Sequence, residues 1–301
     1  GVRQVMRRRL ARVPASHRPL LKLAAVAGRS LDLEVLHAAD PAVHLETWLA
    51  DCANVAALHA REGSWCFVHD RLRTELLAQL DDAERPRLHR QVAEAYEQVH
   101  PDDPAYAAAL AAHWEAAGEG RSHEGDAGVS LARAACYARI AGEYAAAQYA
   151  GADAVRFLSK ALALTPEAEA GERYGLYLAR EQVYDLQGDR EAQAADLAQL
   201  GVLAKTPAQR CEVALRTGAY HNQVGEYPAA LAAAEQAHRW ATACEDRAGQ
   251  AQALIVAGQA LRQQGDYALA RQRYERAAAL AAAIPASVQL ARAQSGLGEV
   301  A

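Results

Sequence analysis

The chain has few of the residues from which β-sheets are usually built. It holds 2 Phe and 1 Met in 301 residues, and alanine and leucine supply most of its 51% hydrophobic share. Sheets draw on Val, Ile and aromatic side chains, whereas Ala and Leu favour helices. The composition therefore predicts a mainly α-helical protein, with a core large enough for two domains or one elongated array.

Its cysteines are also few and scattered. Cys52, Cys66, Cys136, Cys211 and Cys244 are odd in number and include no CxxC pair. A disulfide framework or a zinc site needs paired or closely spaced cysteines, so neither is predicted. Unpaired cysteines are typical of a reducing compartment, and we expect a cytoplasmic protein.

The sequence has no long apolar run and no overall basic charge. Its longest apolar stretch, AAALAAAIPA, is too short to cross a bilayer, and the basic start VRQVMRRRLAR lacks the apolar core and cleavage site of a signal peptide. With a net charge of -5 and a pI near 6.1, the chain has no overall field that would attract nucleic acid. We therefore expect a soluble protein that binds no membrane and, through this part, no nucleic acid.

Motifs that carry catalysis are missing as well. The sequence contains no GxxxxGK[ST] loop to cradle phosphates, no apolar strand ending in paired acids to hold magnesium, and no GxSxG nucleophile elbow. It predicts no catalytic residue, no cofactor and no metal, and hence no enzyme.

Residues 1–100 combine helical patterns with one short patch of a different kind. The apolar runs VAAL (55–58) and WCFV (65–68) flank a polar turn with Gly63, which predicts a β-hairpin. A leucine-rich helical pattern follows, and Asp70 stands where the N-cap of that helix belongs. Because two strands are not stable alone, the hairpin must pack on the helices as a wing. This order predicts a winged-helix-like module.

Beyond residue 100 the pattern changes to repeats. The stretches LRTGAYHNQVGEYPAALAAAEQAHRW and IVAGQALRQQGDYALARQRYERAAAL share a small residue, a Gly-x-Tyr triplet and spaced alanines. Gly218 and Gly258 are 40 residues apart, as are Gly258 and Gly298. Small residues let two antiparallel helices approach closely, and the tyrosine fills the hole beside the turn. Helix pairs that recur in this way predict an α-solenoid.

This pattern resembles the tetratricopeptide repeat (TPR) in its small, Gly-x-Tyr, alanine and aromatic positions. In the first unit Gly142 takes the small position, and Tyr149 stands where the turn glycine is usual. Residues 101–127 are predicted to hold a leading cap helix and the flexible insert GEGRSHEGDAG. The chain ends after the first helix of a unit, so we expect it to be a segment of a longer polypeptide. The units implied for the array of residues 128–301 lie near 128–166, 170–205, 208–243 and 248–283, with a partial unit at 286–301.

The first half carries a second resemblance. The stretches RRRLARVPASHRPLLKLAAVAGRSLDLEVLHAA, FVHDRLRTELLAQL and ERPRLHRQVAEAYE, in this order and followed by repeats, resemble the region downstream of the nucleotide-binding core in bacterial STAND-class signal-transduction ATPases, such as large LuxR-family regulators and cyclase- or kinase-linked ATPases. The resemblance implies an adaptor over residues 1–100 that relays nucleotide state to a TPR-type sensor. Its partners would be an NTPase domain upstream in the same polypeptide and a protein, peptide or small effector bound by the repeats.

The neighbours His69 and Asp70 leave three interpretations open. As a metal pair, with His59 or His89 as a further ligand, they would make the chain a His-Asp metal-dependent phosphohydrolase. As a switch, they would contact the ATPase upstream. Separately, the winged-helix order leaves open a DNA-binding transcription regulator, although the helix after the hairpin offers only two arginines to read bases. We favour an adaptor hinge, in which Asp70 satisfies the free amides of the following helix.

The repeats also indicate where a partner would bind. If they stack as TPRs do, their first helices line a groove, and the exposed positions of those helices meet the partner. These positions are polar and rich in amides, which suits hydrogen bonding to an extended peptide or a polar effector. They are Gln182, Asp185, Asn222, Gln223, Gln252, Gln259, Arg262 and Gln263.

Overall fold

The computed structural model describes residues 2–61, 63–119, 124–284 and 288–300 of the chain. The chain forms two compact units, Gly1–Pro166 and Glu167–Ala301. Both units are mainly α-helical, and the sheet present in the described residues is small and lies in the first unit. The mainly α fold class predicted from composition is therefore confirmed. No helix within the described ranges is both long and apolar enough to cross a membrane.

The first unit begins with helices that surround three short strands. The strands are β1 (Ser30–Leu31), β2 (Leu58–Arg61) and β3 (Ser64–Phe67), and β3 lies in the middle, antiparallel to both neighbours. The helices are α1 (Val2–Leu10), α2 (Arg18–Ala27), α3 (Leu33–Ala39), α4 (Leu45–Asn54), α5 (Asp70–Leu77), α6 (Glu84–Val99), α7 (Ala107–Gly118), α8 (Glu124–Ala147) and α9 (Gly151–Leu164).

The predicted hairpin is present, but its first strand lies three residues later than the apolar run VAAL suggests. Most of that run forms the turn after α4, where Ala56 adopts a left-handed φ of 53° and the Ala57 amide donates to the Cys52 carbonyl at 2.8 Å. This turn closes the helix and delays strand pairing until Leu58. Strand β1 was not predicted, because two residues carry no strand periodicity.

Helix α2 forms the centre of the first unit's core. Its residues Leu20, Leu21 and Leu23 are each 2% exposed or less, because an apolar face repeats along it at helical spacing. Trp48 on α4 is fully buried, and its indole N–H donates to the His17 carbonyl at 3.1 Å. A buried tryptophan whose polar atom is satisfied stabilises the packing of α4 on the start of α2.

Helices α6 to α9 pack in succession along the rest of the first unit. Gly142 on α8 takes the predicted small position, since a Cβ there would lie 2.7 Å from Leu158 Cγ on α9. Tyr149, which replaces the usual turn glycine, adopts a left-handed φ of 57° in the turn between these helices. The backbone conformation of the turn is thus kept although the residue is not glycine. Of the predicted insert, residues 120–123 lie outside the described residues, and α8 begins at Glu124.

The second unit is a TPR-like α-solenoid in which each helix packs on the next. Gly188, Gly225 and Gly265 hold left-handed φ angles of 73°, 81° and 85° in the turns within its helix pairs. Residues 286, 287 and 301 of the predicted partial unit lie outside the described residues. The helices are α10 (Ala170–Gln187), α11 (Arg190–Leu203), α12 (Pro207–Gln223), α13 (Tyr227–Ala243), α14 (Arg247–Gln263), α15 (Tyr267–Ala282) and α16 (Val288–Glu299).

A tyrosine between two glycines joins the last helices of this solenoid. A Cβ on Gly258 of α14 would lie 2.6 Å from Tyr274 Cε1, and a Cβ on Gly296 of α16 would lie 2.5 Å from the same atom. Tyr274 is 1% exposed, so the ring fills the space that the two glycines leave. Gly298, which the 40-residue spacing singles out, has no atom of the described residues within 4 Å of such a Cβ. The glycine of α16 that packs against α15 is therefore Gly296, two residues before the predicted position.

Candidate partner-binding groove

The eight predicted groove residues all lie on the first helices of successive pairs. Gln182 and Asp185 are on α10, Asn222 and Gln223 are on α12, and the remaining four are on α14. Helix α12 contacts α14, and α14 contacts α16, so the first helices lie side by side. Four of these residues, Gln182, Gln223, Gln259 and Gln263, are exposed, and the other four are half-buried and bonded to their surroundings.

Asp185 and Gln223 meet across α10 and α12. Arg190 donates to the Asp185 carboxylate at 2.7 Å, and the Gln223 side chain also donates to it. Burial alone would raise the pKa of Asp185, but these hydrogen bonds outweigh it and hold the pKa below its ordinary value. Asp185 is therefore an ionised, fixed acceptor rather than a mobile surface acid.

Asn222 joins α12 to α14. Its Nδ2 donates to the Val256 carbonyl at 3.0 Å, while its Oδ1 is buried and has no hydrogen-bond partner among the described residues. Half of this amide is thus used to hold the two helices, and its acceptor half is buried between them. A buried acceptor of this kind usually binds water or a ligand donor.

Two groove residues on α14 are paired with α16. Arg292 donates to Gln252 Oε1 at 3.2 Å, and Arg262 Nε lies 3.1 Å from Glu299 Oε2, an ion-pair distance without hydrogen-bond geometry. Arg292 and Glu299 were missed by sequence reasoning. The 40-residue repeat could have identified Arg292, since it lies 40 residues after the predicted groove residue Gln252.

Below the groove, α10 to α12 enclose a layer of charged side chains. Glu181 and Asp196 are each 2% exposed. Arg180 donates to both Asp196 oxygens at 2.9 and 2.7 Å, and Arg216 donates to Glu181 at 2.7 Å. Gln193 completes the layer by donating to Glu181 at 2.7 Å. Each buried acid is matched by an arginine, as low-dielectric surroundings require.

The predicted hinge pair lies at the start of α5, but Asp70 does not cap that helix. The α5 start has no side-chain cap, and the Asp70 carboxylate is instead 2.6 Å from Arg29, beside β1. The N-cap prediction for Asp70 is therefore wrong, because a nearby guanidinium takes the carboxylate. His69 and Asp70 line an open cavity of about 840 Å³ together with Arg29, Arg71 and Cys66.

The histidines proposed as further metal ligands are engaged elsewhere. His59 Nε2 lies 3.5 Å from Cys66 Sγ on the neighbouring strand. His89 Nδ1 lies 2.9 Å from His113 Nδ1 in the first unit's core, and burial lowers the pKa of each of these two histidines to about 4. Across the described residues, no three His, Cys, Asp or Glu side chains are grouped so as to hold a metal ion.

Comparison with known proteins identifies the repeats more firmly than the rest of the chain. The tetratricopeptide repeat family pattern matches residues 209–283, which span α12 to α15. No curated protein matches the chain.

Two solved structures are similar at low identity. A Signal Transduction ATPase with Numerous Domains (STAND) protein with a tetratricopeptide repeat sensor from Pyrococcus horikoshii is 13% identical with a TM-score of 0.46, over 97% of this chain and 48% of that one. Yeast Tom70 is 12% identical with a TM-score of 0.32, over 87% of this chain and 65% of that one. The chain thus spans about half the length of the STAND protein.

Proposed function

We propose that the chain is a non-catalytic regulatory part of a signal-transduction ATPase, and that its second unit binds a protein or peptide through the first-helix groove. The observation that carries the proposal is the row of exposed glutamines on α10, α12 and α14, namely Gln182, Gln223, Gln259 and Gln263. Each amide offers both a donor and an acceptor, which matches the alternating N–H and C=O groups of an extended peptide.

The groove's fixed residues support the same function. Asp185, Asn222, Gln252 and Arg262 are all held by neighbouring side chains or backbone, so the exposed amides stand on a rigid surface. Binding to a preformed surface loses less conformational entropy than binding to a flexible one. A small polar effector would use the same donors and acceptors and is the alternative ligand.

The first unit is proposed to be a winged-helix-like adaptor. Its order of α2, β1, α3, α4, β2 and β3 supports this, with the hairpin as the wing. Helix α4, which precedes the hairpin, carries Glu46 and Asp51 and has no Lys or Arg. A helix that reads DNA in the major groove needs basic and amide side chains, so the order favours an adaptor over a DNA-binding regulator.

Relay to an upstream NTPase would pass through the start of α5. The Arg29–Asp70 pair connects the segment before β1 to α5, and His69 lies beside it on the cavity wall. Both partners of this pair are more than half exposed, so it costs little to open. These features suit a hinge, and together with the sequence resemblance they are the basis for proposing STAND-class signalling. We also propose a cytoplasmic location, since the five cysteines are unpaired.

A peptide-display selection against the purified chain tests the groove. Peptides selected on the wild-type chain are titrated against the double variant Gln223→Ala/Gln259→Ala and against Gln272→Ala, an exposed glutamine on the second helix α15. We expect the double variant to weaken binding about tenfold or more, since two hydrogen-bonding amides are lost. The Gln272→Ala variant should bind as the wild type does. Equal affinity of all three proteins would contradict the groove proposal.

A further inference from the structure

A cavity of about 230 Å³ lies between α13, α14 and α15, away from the groove residues. None of the eight predicted groove residues lines it. Its floor is apolar, because α13 and α14 turn aliphatic side chains toward it. The floor residues are Leu231, Ala234, Leu254 and Ala257.

Two basic side chains line this cavity from different helices. They are His238 on α13 and Arg273 on α15, and the buried atoms His238 Nδ1 and Arg273 Nε have no hydrogen-bond partner among the described residues. A buried donor without an acceptor costs free energy, so native proteins nearly always satisfy it with protein, water or a ligand. Imidazole and guanidinium groups carry further nitrogen donors, so an acceptor bound in this cavity would have donors on two helices.

The charges around the cavity favour an anionic acceptor. Arg239 and Arg273 line it with positive charge, and Glu235 is the single acid in the lining. Guanidinium donors form their strongest hydrogen bonds with carboxylates and other anions. The volume equals that of about eight water molecules, which limits the ligand to a small molecule.

We propose that this cavity is a binding site for a small apolar carboxylate, whose anionic group bonds His238 and Arg273 and whose apolar part covers the leucine and alanine floor. Binding would connect α13 to α15, the second helices of consecutive repeats. The site is separate from the groove and does not depend on it.

Benzoate is a suitable probe, with benzamide as the uncharged molecule of nearly the same shape. By isothermal titration calorimetry on the whole chain, we expect benzoate to bind with at least tenfold higher affinity than benzamide, since only the anion forms charge-assisted hydrogen bonds. Arg273→Gln should weaken benzoate binding about tenfold or more. Arg276→Gln, an exposed arginine on the same helix outside the cavity lining, should leave it unchanged.

A second variant separates binding from folding. Ala257→Leu fills the cavity from its floor and leaves both donors in place, so it should abolish benzoate binding, and circular dichroism checks that the variant remains folded. If Arg273→Gln lowers the unfolding temperature strongly, its loss of binding is not used, and the titration of Ala257→Leu with benzoate tests the proposal alone. No benzoate binding, equal binding of benzamide, or full binding by Ala257→Leu would each overturn the proposal.

Discussion

At the scale of single residues, the second unit depends on glycines whose missing side chains make room for a neighbour. Tyr274 lies against both Gly258 and Gly296, and its ring is almost fully buried. A close contact of this kind cannot relax easily, because the ring is held on both sides. The same residue type has a different role at Gly175 on α10, where a Cβ would meet no atom of the described residues within 4 Å.

We therefore expect opposite effects from two glycine-to-alanine substitutions. Gly258→Ala should lower the free energy of unfolding by roughly 1–3 kcal/mol, because the overpacking against Tyr274 exceeds the gain in helix propensity. Gly175→Ala should raise it by about 0.5–1 kcal/mol, since only the propensity changes. Urea unfolding of both variants measures this. A stabilised Gly258→Ala protein would contradict the packing described for Tyr274.

At the scale of elements, α10, α11 and α12 are joined by charged side chains in addition to an apolar cluster. The sequence shows that the unit at 170–205 lacks its aromatic residue, and it gives no indication of what replaces it. In the structure, Arg216 of α12 donates to Glu181 of α10, and Arg180 pairs with Asp196 of α11. These pairs join residues distant in sequence, so no local pattern reveals them.

Removing only one partner of the ion pair between α10 and α12 should lower the free energy of unfolding strongly. Arg216→Met leaves Glu181 buried with only the neutral Gln193 side chain donating to it in place of an arginine, and we expect the free energy of unfolding to fall by roughly 3–5 kcal/mol. The double variant Glu181→Met/Arg216→Met removes both charges and should recover most of that loss. Chemical denaturation of the wild type, Arg216→Met and the double variant measures how strongly the two residues are coupled in free energy. A double variant as unstable as Arg216→Met would show that the pair does not hold the helices together.

At the scale of the whole molecule, the sequence predicts regular features well and irregular ones poorly. The helix pairs of residues 208–283 follow from small residues and Gly-x-Tyr triplets, and the match to the tetratricopeptide repeat family over residues 209–283 agrees. Strand β1 and the pairing of Asp70 with Arg29 depend on segments brought together only by folding. The assignment of a partner to the groove stays a prediction, because exposed amides show which chemical groups a surface can bind and do not identify the partner.

The first unit contains a histidine pair that should make its stability depend on pH. His89 and His113 titrate near pH 4 in the folded chain because burial disfavours their charged forms, against 6.5 when exposed. Arg73 and Arg85 oppose protonation of His89 further, whereas a hydrogen bond to the Ala27 backbone partly favours it at His113. Between pH 6.5 and about 4 the unfolded chain therefore binds protons that the folded chain does not.

The stability of the first unit should accordingly be full above pH 6.5, fall as the pH decreases, and lose this contribution completely below about pH 4. The slope is at most roughly 1.4 kcal/mol per pH unit for each histidine. Urea unfolding followed by tryptophan fluorescence reports mainly on this unit, since Trp48, Trp65 and Trp114 lie in it. The double variant His89→Gln/His113→Gln should show a shallower dependence over the same range, because glutamine does not titrate. Parallel pH profiles for the variant and the wild type would mean that the buried pair does not cause the acid sensitivity.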